Sequence, residues 1–428
     1  MIAAITAIGL TLWLGALPAA HPAPVDHPQV KSSPKDDPLV EARKATDRED
    51  WDEAAAKFRA FLDSHPGAPQ APEARFWAGF CLVKLGESEQ AVEILNPFTD
   101  ALAEDKWADD ALLQIGKALR ALGKESDALA TWKRHLQRYP QSVWRTEVTL
   151  AVIDLLFYRA KDLTACLSYC SQLTQEVQDR DSTTEARYLG AYCLNALRKF
   201  DDSMAWADRL FDPESPLEEA WRRLLGAQRD LLRGQVASAR GAMDSLATDF
   251  PDLDDEGRQD LLLKTTYVLR KNGRADRARE LLQAELLRSS GRPEDQVESL
   301  LDELEAAFGD DHHADLLTVL NHLSRDLKAP VVVRVSARDR HAQALTDDEH
   351  PKKAEAMLRE ALAAETGEFP RCRAAMKLAE ILADDLEKPD DAVKLLDQLR
   401  TNLKRRDLIN ELHEASARYR KQAEGAHK

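Results

Sequence analysis

Two stretches of this sequence, LGESEQAVEIL at residues 85–95 and LGKESDALATW at residues 122–132, are copies of one pattern. Each contains a Leu-Gly pair, a polar turn, an alanine and a bulky side chain four residues after the alanine. The two alanines, Ala91 and Ala128, are 37 residues apart. A fixed period of this length indicates a repeat protein, in which each repeat is one supersecondary unit.

The same pattern continues through most of the chain. Small residues recur at steps of 36 to 39 residues, with a single step of 76 that equals two repeats. The positions are Ala54, Ala91, Ala128, Ala165, Ser203, Ala239, Ala278, Ala354 and Ala392. A degenerate unit around residues 314–320 fills the double step, so we predict about ten units over residues 37–400.

Further anchors give the shape of one unit. Small residues stand twelve and seventeen positions before the alanine, as at Gly79 and Ala74, and a proline follows it by twelve, as at Pro140. Small residues let two helices approach closely, a bulky residue fills the space beside the contact, and proline ends the second helix. Each unit is therefore predicted to be two antiparallel helices joined by a short turn.

These anchors resemble those of the tetratricopeptide repeat family. The units at residues 74–98 and 111–140 match best, and the segment 74–79 resembles the start of the bacterial cell-envelope variety. The resemblance covers about 85% of the chain. It implies an all-α, right-handed superhelical solenoid whose concave face, lined mostly by first helices, binds peptides or partner proteins. Residues 401–428 are predicted to form a helix that caps the last repeat.

The charge balance narrows the class of partner. The chain has 59 basic and 75 acidic residues among 428, for a formal net charge of -16. Phosphates attract Lys and Arg, so this balance argues against a protein built to bind nucleic acid or anionic lipid. The apolar content of 44% is enough to bury a core.

The N-terminal segment carries the signal for location. Residues 1–25 contain no charged side chain, and residues 2–20 are almost continuously apolar and end in small residues. This pattern is typical of a secretory signal peptide, while a retained membrane anchor is the alternative because about 20 apolar residues can span a bilayer. Residues 21–36 are proline-rich and are predicted to be a linker. We therefore expect an exported protein of the bacterial periplasm or cell envelope, with membrane contact only through residues 2–20 if they are retained.

The sequence contains none of the common catalytic or cofactor motifs. It lacks a glycine-rich phosphate loop, an H-E-x-x-H motif and a G-x-S-x-G elbow. His312 and His313 are adjacent, so on a helix their side chains point about 100° apart and do not readily share one metal ion. Cys166 and Cys170 share a helix face, and we interpret the five cysteines as small buried residues. We predict no enzyme activity, no metal and no cofactor.

The family resemblance also marks a candidate binding groove. Its groove positions lie 18, 15, 11 and 8 residues before the second-helix alanine. Here they include Glu73, Phe76, Phe80, Asp110, Lys117, Arg120, Asp154, Phe157, Tyr188, Tyr192, Trp221 and Gln228. Aromatic rings with polar neighbours are typical of contact surfaces, so we expect a continuous groove that solvent reaches. Packing between neighbouring first helices is the alternative role for these rings.

Two of these residues, Lys117 and Arg120, form a small basic island. They either hold a carboxylate of the partner or pair with Glu147 or Asp154 of the next repeat. Taken together, the sequence predicts an exported scaffold that binds a protein or peptide, without catalysis. A membrane-anchored structural tether is the first alternative, and an enzyme or enzyme accessory that acts in the envelope is the second.

Overall fold

The computed structural model describes residues 39–288 and 291–426, and in these ranges the chain is helical without a β-strand. The predicted signal peptide or anchor and the proline-rich linker lie outside the described residues. Among the helices of the described part, none combines the length and apolar character needed to cross a bilayer. The described residues divide into two compact units, 39–257 and 258–426.

Twelve α-helices belong to unit 1 within its described residues. They are α1 (Val40–Asp47), α2 (Trp51–Ser64), α3 (Ala71–Lys84), α4 (Ser88–Leu95), α5 (Ala108–Ala121), α6 (Glu125–Arg138), α7 (Arg145–Asp154), α8 (Leu163–Glu176), α9 (Arg180–Ala196), α10 (Phe200–Leu210), α11 (Pro216–Leu232) and α12 (Val236–Asp249).

The described residues of unit 2 add nine more. They are α13 (Asp255–Lys271), α14 (Ala275–Arg288), α15 (Glu294–Phe308), α16 (His313–Arg325), α17 (Val331–Asp347), α18 (Pro351–Ala364), α19 (Glu368–Glu380), α20 (Pro389–Arg400) and α21 (Arg406–Ala426). In chain order the helices make ten consecutive pairs, α1 and α2 through α19 and α20, followed by α21. The two helices of a pair pack on each other, as in α1 with α2, α5 with α6 and α19 with α20. An odd-numbered helix is the first helix of its repeat. The predicted all-α solenoid of about ten repeats is therefore confirmed.

The turn inside every pair contains one residue with a positive φ. These residues are Glu49, Gly86, Gly123, Lys161, Arg198, Gly234, Gly273, Gly309, Glu349 and Glu387, and their φ values lie between 54° and 80°. They are 36 to 40 residues apart, so the backbone repeats with the period of the sequence. A residue of this kind ends the first helix and redirects the chain, which lets the second helix pack back against the first.

The two helices of a repeat touch at a glycine that lies under a bulky side chain. Three such pairs are sixteen residues apart: Gly79 with Leu95, Gly116 with Trp132, and Gly190 with Trp206. A Cβ atom on any of these glycines would lie 2.0 to 2.3 Å from the bulky side chain. The two indole N–H groups donate to first-helix carbonyls, at 3.4 Å for Trp132 and 2.8 Å for Trp206. The bulky residue therefore occupies the space that glycine leaves open.

Most predicted second-helix anchors are buried, but the fourth repeat differs by one position. Ala165 and Tyr169 were expected at the crossing, whereas the structure buries Cys166 and Cys170 and leaves the other two partly exposed. The cause of this one-residue shift is the end of the preceding helix, α7. After α7 the chain makes a π-helical turn at Leu155–Arg159, and a π turn contains more residues than an α turn. The second helix therefore starts one residue late.

The weakly marked repeat and the C-terminal segment of unit 2 are also helical. In unit 2, α15 and α16 form the repeat that the sequence pattern marks only poorly. Leu316 is buried where other repeats have a small residue, and Leu320 is buried at the bulky position four residues later. The last helix, α21, buries Leu408, Leu412 and Tyr419 against the apolar residues of α20 and its neighbours. It covers the apolar side of the final repeat, as the cap of a repeat array must.

Replacing Gly116 by Ala tests the helix crossing. The added Cβ would lie 2.0 Å from the Nε1 atom of the rigid Trp132 ring. We expect the free energy of unfolding of unit 1 to fall by about 1–3 kcal/mol because the core is overpacked.

The matched control is Gly241→Ala on α12, where no atom lies within 4 Å of the added Cβ. There the gain in helix propensity should raise stability by up to about 1 kcal/mol. Urea unfolding followed by circular dichroism measures both, and equal midpoints would contradict the proposed packing.

Candidate functional site

The twelve predicted groove residues all lie on the first helices of unit 1 or on the π turn that follows α7. Neighbouring first helices pack side by side, since α3 contacts α5, α7 contacts α9, and α9 contacts α11. We call the surface formed by α3, α5, α7, α9 and α11 the first-helix face. Equivalent positions of successive repeats are therefore adjacent there, as the repeat pattern predicts.

An aromatic cluster lies where the second helix α2 meets α3, at the start of the first-helix face. The Phe80 ring has its centroid 5.9 Å from that of Trp51 and 5.5 Å from that of Trp77. These three side chains are only partly buried. Phe76 is different, because it stacks on Trp107 at 4.8 Å and is buried. We call Trp51, Trp77 and Phe80 the aromatic patch.

Charged groups border the aromatic patch. The Nζ atom of Lys84 lies 5.5 Å from the centre of the Phe80 ring, in a cation–π arrangement. Glu73, one of the predicted groove residues, accepts a hydrogen bond of 2.7 Å from Nε of Arg43. Partly exposed rings beside charged side chains have the composition expected of a protein contact surface.

A second aromatic cluster lies between α7, α9 and α11, and here the groove prediction is wrong about exposure. Tyr192 contacts Phe157 at 5.0 Å and Tyr188 contacts Trp221 at 5.6 Å between ring centroids. Phe157, Tyr188, Tyr192 and Trp221 are all buried, with Trp221 only 1% exposed. First helices pack closely enough for these rings to fill the spaces between them. They are not part of a surface that solvent reaches.

Gln228 is also buried rather than groove-lining. Its Oε1 accepts a hydrogen bond of 3.2 Å from Nδ2 of Asn195, which also donates to the Leu225 carbonyl at 2.9 Å. Buried polar groups of this kind need hydrogen-bond partners, and this pair supplies them across the contact between α9 and α11. The six groove residues that the structure buries are therefore Phe76, Phe157, Tyr188, Tyr192, Trp221 and Gln228.

The basic island on α5 pairs with the next repeat. Lys117 forms an ion pair of 2.7 Å with Glu147, and Arg120 forms one of 2.9 Å with Asp154. Burial raises the pKa of the Asp154 carboxyl above its ordinary value, although the charge of Arg120 acts in the opposite direction. Asp110 accepts a hydrogen bond of 2.6 Å from the indole Nε1 of Trp144. Lys117 and Arg120 thus pair with acids of the next repeat, which was one of the two roles expected for them.

Sequence reasoning missed several tryptophans of this face. Trp77 lies within the string FWAGF at residues 76–80, where the aromatic density is visible without a structure. Trp107 and Trp144 are 37 residues apart, and each immediately precedes the first helix of its repeat. The period of the chain was therefore a sufficient signal for these two. The groove positions of the family pattern do not include Trp107 and Trp144, because those positions all lie inside the helices.

A cluster of carboxylates with raised pKa values lies in unit 2. The guanidinium of Arg340 on α17 contacts three acids of α15, at 2.5 Å for Glu298, 2.6 Å for Asp302 and 3.0 Å for Glu305. Burial raises the pKa of Asp302 to about 6 and that of Asp339 to about 6. Arg338 and Arg373 neighbour Asp339. Acids with raised pKa values occur at active sites. Here arginines of α17 and α19 contact Asp302 and Asp339 instead.

Metal-binding geometry is not found in the described ranges. No group of three or more His, Cys, Asp or Glu side chains between residues 39–288 and 291–426 is arranged to hold a metal ion. His313 instead contacts Asp348 through Nε2 at 2.9 Å. His312 contacts Asp315 at 3.3 Å.

Three family models match the chain, and all are described as tetratricopeptide repeats. They cover residues 39–97, 110–142 and 339–420. No curated protein sequence matches the chain. Among solved structures, a match in the structure of Naa15/Naa10 bound to HypK-THB has 14% identity and a TM-score of 0.35, and it covers 90% of this chain. The present chain spans 60% of that protein's length.

Two further solved structures are similar to the chain at a comparable level. The P58(IPK) TPR domain has 18% identity and a TM-score of 0.22, with 90% of this chain and 98% of that chain covered. A tetratricopeptide repeat protein from Parabacteroides merdae has 10% identity and a TM-score of 0.25, with coverage of 90% and 100%.

Removing Arg120 tests the ion pair between repeats. In Arg120→Leu the carboxylate of Asp154, whose side chain is 16% exposed, loses its guanidinium partner. We expect a loss of about 3–5 kcal/mol in the free energy of unfolding of unit 1. The double variant Arg120→Leu with Asp154→Leu should recover most of that loss, because no uncompensated charge remains.

The pH dependence gives the control for this prediction. Without Arg120, the folded-state pKa of Asp154 rises further above its unfolded value. The folded state then binds more protons than the unfolded state, so the single variant should regain stability as the pH is lowered. The double variant lacks the carboxyl and should not show this recovery. Urea titrations at several pH values measure both, and parallel profiles would show that Asp154 does not depend on Arg120.

Proposed function

We propose that this chain, a member of the tetratricopeptide repeat family, is a non-catalytic scaffold that binds a protein or peptide partner in the bacterial cell envelope. The repeats themselves support a protein–protein interaction scaffold. An array of helix pairs offers a long surface built from equivalent positions, and such surfaces are used for partner binding. The partner is a protein or peptide, and no nucleic acid is involved.

The aromatic patch is the observation that carries this proposal. Trp51 and Trp77 come from two neighbouring repeats, and both contact Phe80. These three rings remain partly exposed, whereas Phe76, Phe157, Tyr188, Tyr192 and Trp221 are buried. Tryptophan and phenylalanine contribute much contact area at a low cost in side-chain entropy. The Lys84 ammonium and the Arg43–Glu73 pair supply a polar border. We place the centre of the binding surface at this patch.

The absence of catalysis is part of the proposal, and the surroundings of the buried charges support it. Asp302 and Asp339 of unit 2, whose pKa values burial raises, each contact an arginine. The first-helix face has its charges in ion pairs between repeats. A general acid or base must instead face the space that a substrate occupies.

Truncating the aromatic patch tests the binding surface. We expect Trp77→Ala with Phe80→Ala to lower capture of the partner at least about tenfold, since central aromatic residues of an interface each contribute 2 kcal/mol or more. The matched control is Tyr169→Ala, which removes a partly exposed ring from the second helix α8. The capture uses the purified chain as bait on the envelope fraction of the source organism, with recovery quantified by mass spectrometry. A circular dichroism melt verifies that both variants are folded.

Two results would contradict the binding proposal. The first is unchanged recovery of every captured protein by the patch variant. The second is an equal loss for the Tyr169 control, which would show that the loss is not specific to the patch.

Export is a separate part of the proposal and has its own test. Its support is the charge-free apolar segment at residues 2–20, followed by a proline-rich stretch. We expect cell fractionation to recover the protein from the periplasm or envelope, with a mature N-terminus in the region that follows residue 20. A retained N-terminus in the membrane fraction would favour the anchored tether, and a cytoplasmic location would refute export.

A further inference from the structure

The turn between α1 and α2 places Trp51 among acidic side chains. Residues 47–53 have the sequence DREDWDE, in which five acids and one base surround a single tryptophan. The Trp51 amide donates to the Glu49 carbonyl at 3.0 Å, so these residues form one tight turn. The ring that this turn supplies to the aromatic patch is therefore bordered by negative charge.

Three of the five acids have no hydrogen-bond or ion-pair partner among the described residues. These are Asp47, Glu49 and Asp52, and all three side chains are exposed. The other two are used inside the turn, where Asp50 caps α2 and Glu53 pairs with basic side chains. Asp47 is also the last residue of α1, where a negative charge opposes the helix dipole. Helix stability therefore does not account for this acid.

The indole N–H groups of the aromatic patch are also unused. Trp132 and Trp206 donate their indole N–H to carbonyls, and Trp144 donates its own to a carboxylate. Within residues 39–288 and 291–426, neither Trp51 nor Trp77 has such an acceptor. Both donors are therefore available to a carbonyl of a bound chain.

The ring faces of these two tryptophans carry no cation, unlike several other rings of the protein. Arg233, for example, lies 4.6 Å from the centre of the Phe200 ring. Over Trp51 and Trp77 no lysine or arginine of the described chain takes such a position. Tryptophan is nevertheless the ring that attracts cations most strongly.

We infer that the segment bound at the aromatic patch is basic, with an arginine or lysine of the partner stacked on Trp51 or Trp77 and facing the exposed acids of the α1–α2 turn. This partner chemistry rests on the function proposed above, because it describes the occupant of the same patch. The Phe80 ring already carries Lys84, which leaves the two tryptophans for the cation of the partner.

Two kinds of attraction act on the same charge. The ring faces attract a cation at short range, and the unpaired carboxylates at their border attract it as well. The formal net charge of -16 adds a long-range field that increases the rate of encounter with a basic segment. An acidic segment would meet Lys84 favourably but would face the three unpaired carboxylates.

The test is a titration of the full chain, labelled with fluorotryptophan, with short peptides and observation by fluorine NMR. Trp51→Phe and Trp77→Phe identify the two patch resonances by removing them. The probe is a blocked peptide of alternating glycine and arginine. Its controls carry glutamate, or citrulline, which has the shape of arginine without the charge. We expect the arginine peptide to shift both patch resonances and to leave that of the buried Trp132 unchanged. The citrulline peptide should bind about 2–30-fold more weakly.

A matched pair of charge variants tests the carboxylates. Asp47→Asn with Glu49→Gln removes the two unpaired acids that precede the tryptophan. The control is Asp347→Asn with Glu349→Gln, at the corresponding positions of the turn between α17 and α18, where a proline replaces the tryptophan. All four side chains are exposed, so both variants should fold. We expect the first variant to raise the Kd of the arginine peptide about 2–30-fold and the control to change it less than about twofold.

Several results would overturn the basic partner. They are unshifted patch resonances with the arginine peptide, equal affinity for the citrulline peptide, and an equal rise in Kd in the two charge variants. Binding of the glutamate peptide at the patch would indicate an acidic partner instead. A change of the patch resonances on dilution of the chain alone would assign the patch to a second copy of the protein.

Failure of this inference is distinguishable from failure of the proposed function. An envelope protein that is captured through the aromatic patch, together with patch resonances that the arginine peptide does not shift, would refute the basic partner and leave the scaffold function standing. Unchanged capture by the variant with Trp77→Ala and Phe80→Ala would refute the placement of the binding surface itself.

Discussion

In three repeats of unit 1, the contact between a glycine of the first helix and a bulky side chain of the second holds the two helices together. At Gly116 the missing side chain leaves the space that the Trp132 ring occupies, and the same arrangement recurs at Gly79 and Gly190 with a constant spacing of sixteen residues. Close approach of two helices depends on such a small residue, and dense packing leaves no room for an additional methyl group. The short turn with one left-handed residue returns the second helix to this contact.

Within unit 1, the first helices of neighbouring pairs contact one another, and these contacts determine which side chains of the first-helix face remain exposed. Between α7, α9 and α11 the contact is filled by aromatic rings, which are thereby removed from solvent. Around α5 it consists of ion pairs such as the one between Arg120 and Asp154. At the start of the array, rings from α2 and α3 remain partly exposed. We therefore propose the binding role for that start, where the aromatic area is not already used in packing.

The candidate site was only partly predictable for this reason. The repeat period placed all twelve groove residues on the same set of helices, because equivalent positions in a repeat array are stacked. It did not distinguish Phe80, which remains partly exposed, from Tyr192, which occupies the equivalent position and is buried. Exposure at equivalent positions depends on the size of the side chains on the neighbouring helix. The exposure of a side chain therefore cannot be predicted from that residue alone.

The amino-acid pattern by itself determined the helical class, the number of repeats and the crossing residues of most units, because each depends on residues close together in the sequence. Tertiary structure alone decided three other features: the one-residue shift at Cys166, the burial of the second aromatic cluster, and the enclosure of Asp302 by Arg340. The shift comes from a π turn whose extra residue is not marked in the sequence. The other two come from contacts between helices of different repeats. Side chains far apart in the sequence determine the exposure and pKa of such groups, so local patterns do not reveal them.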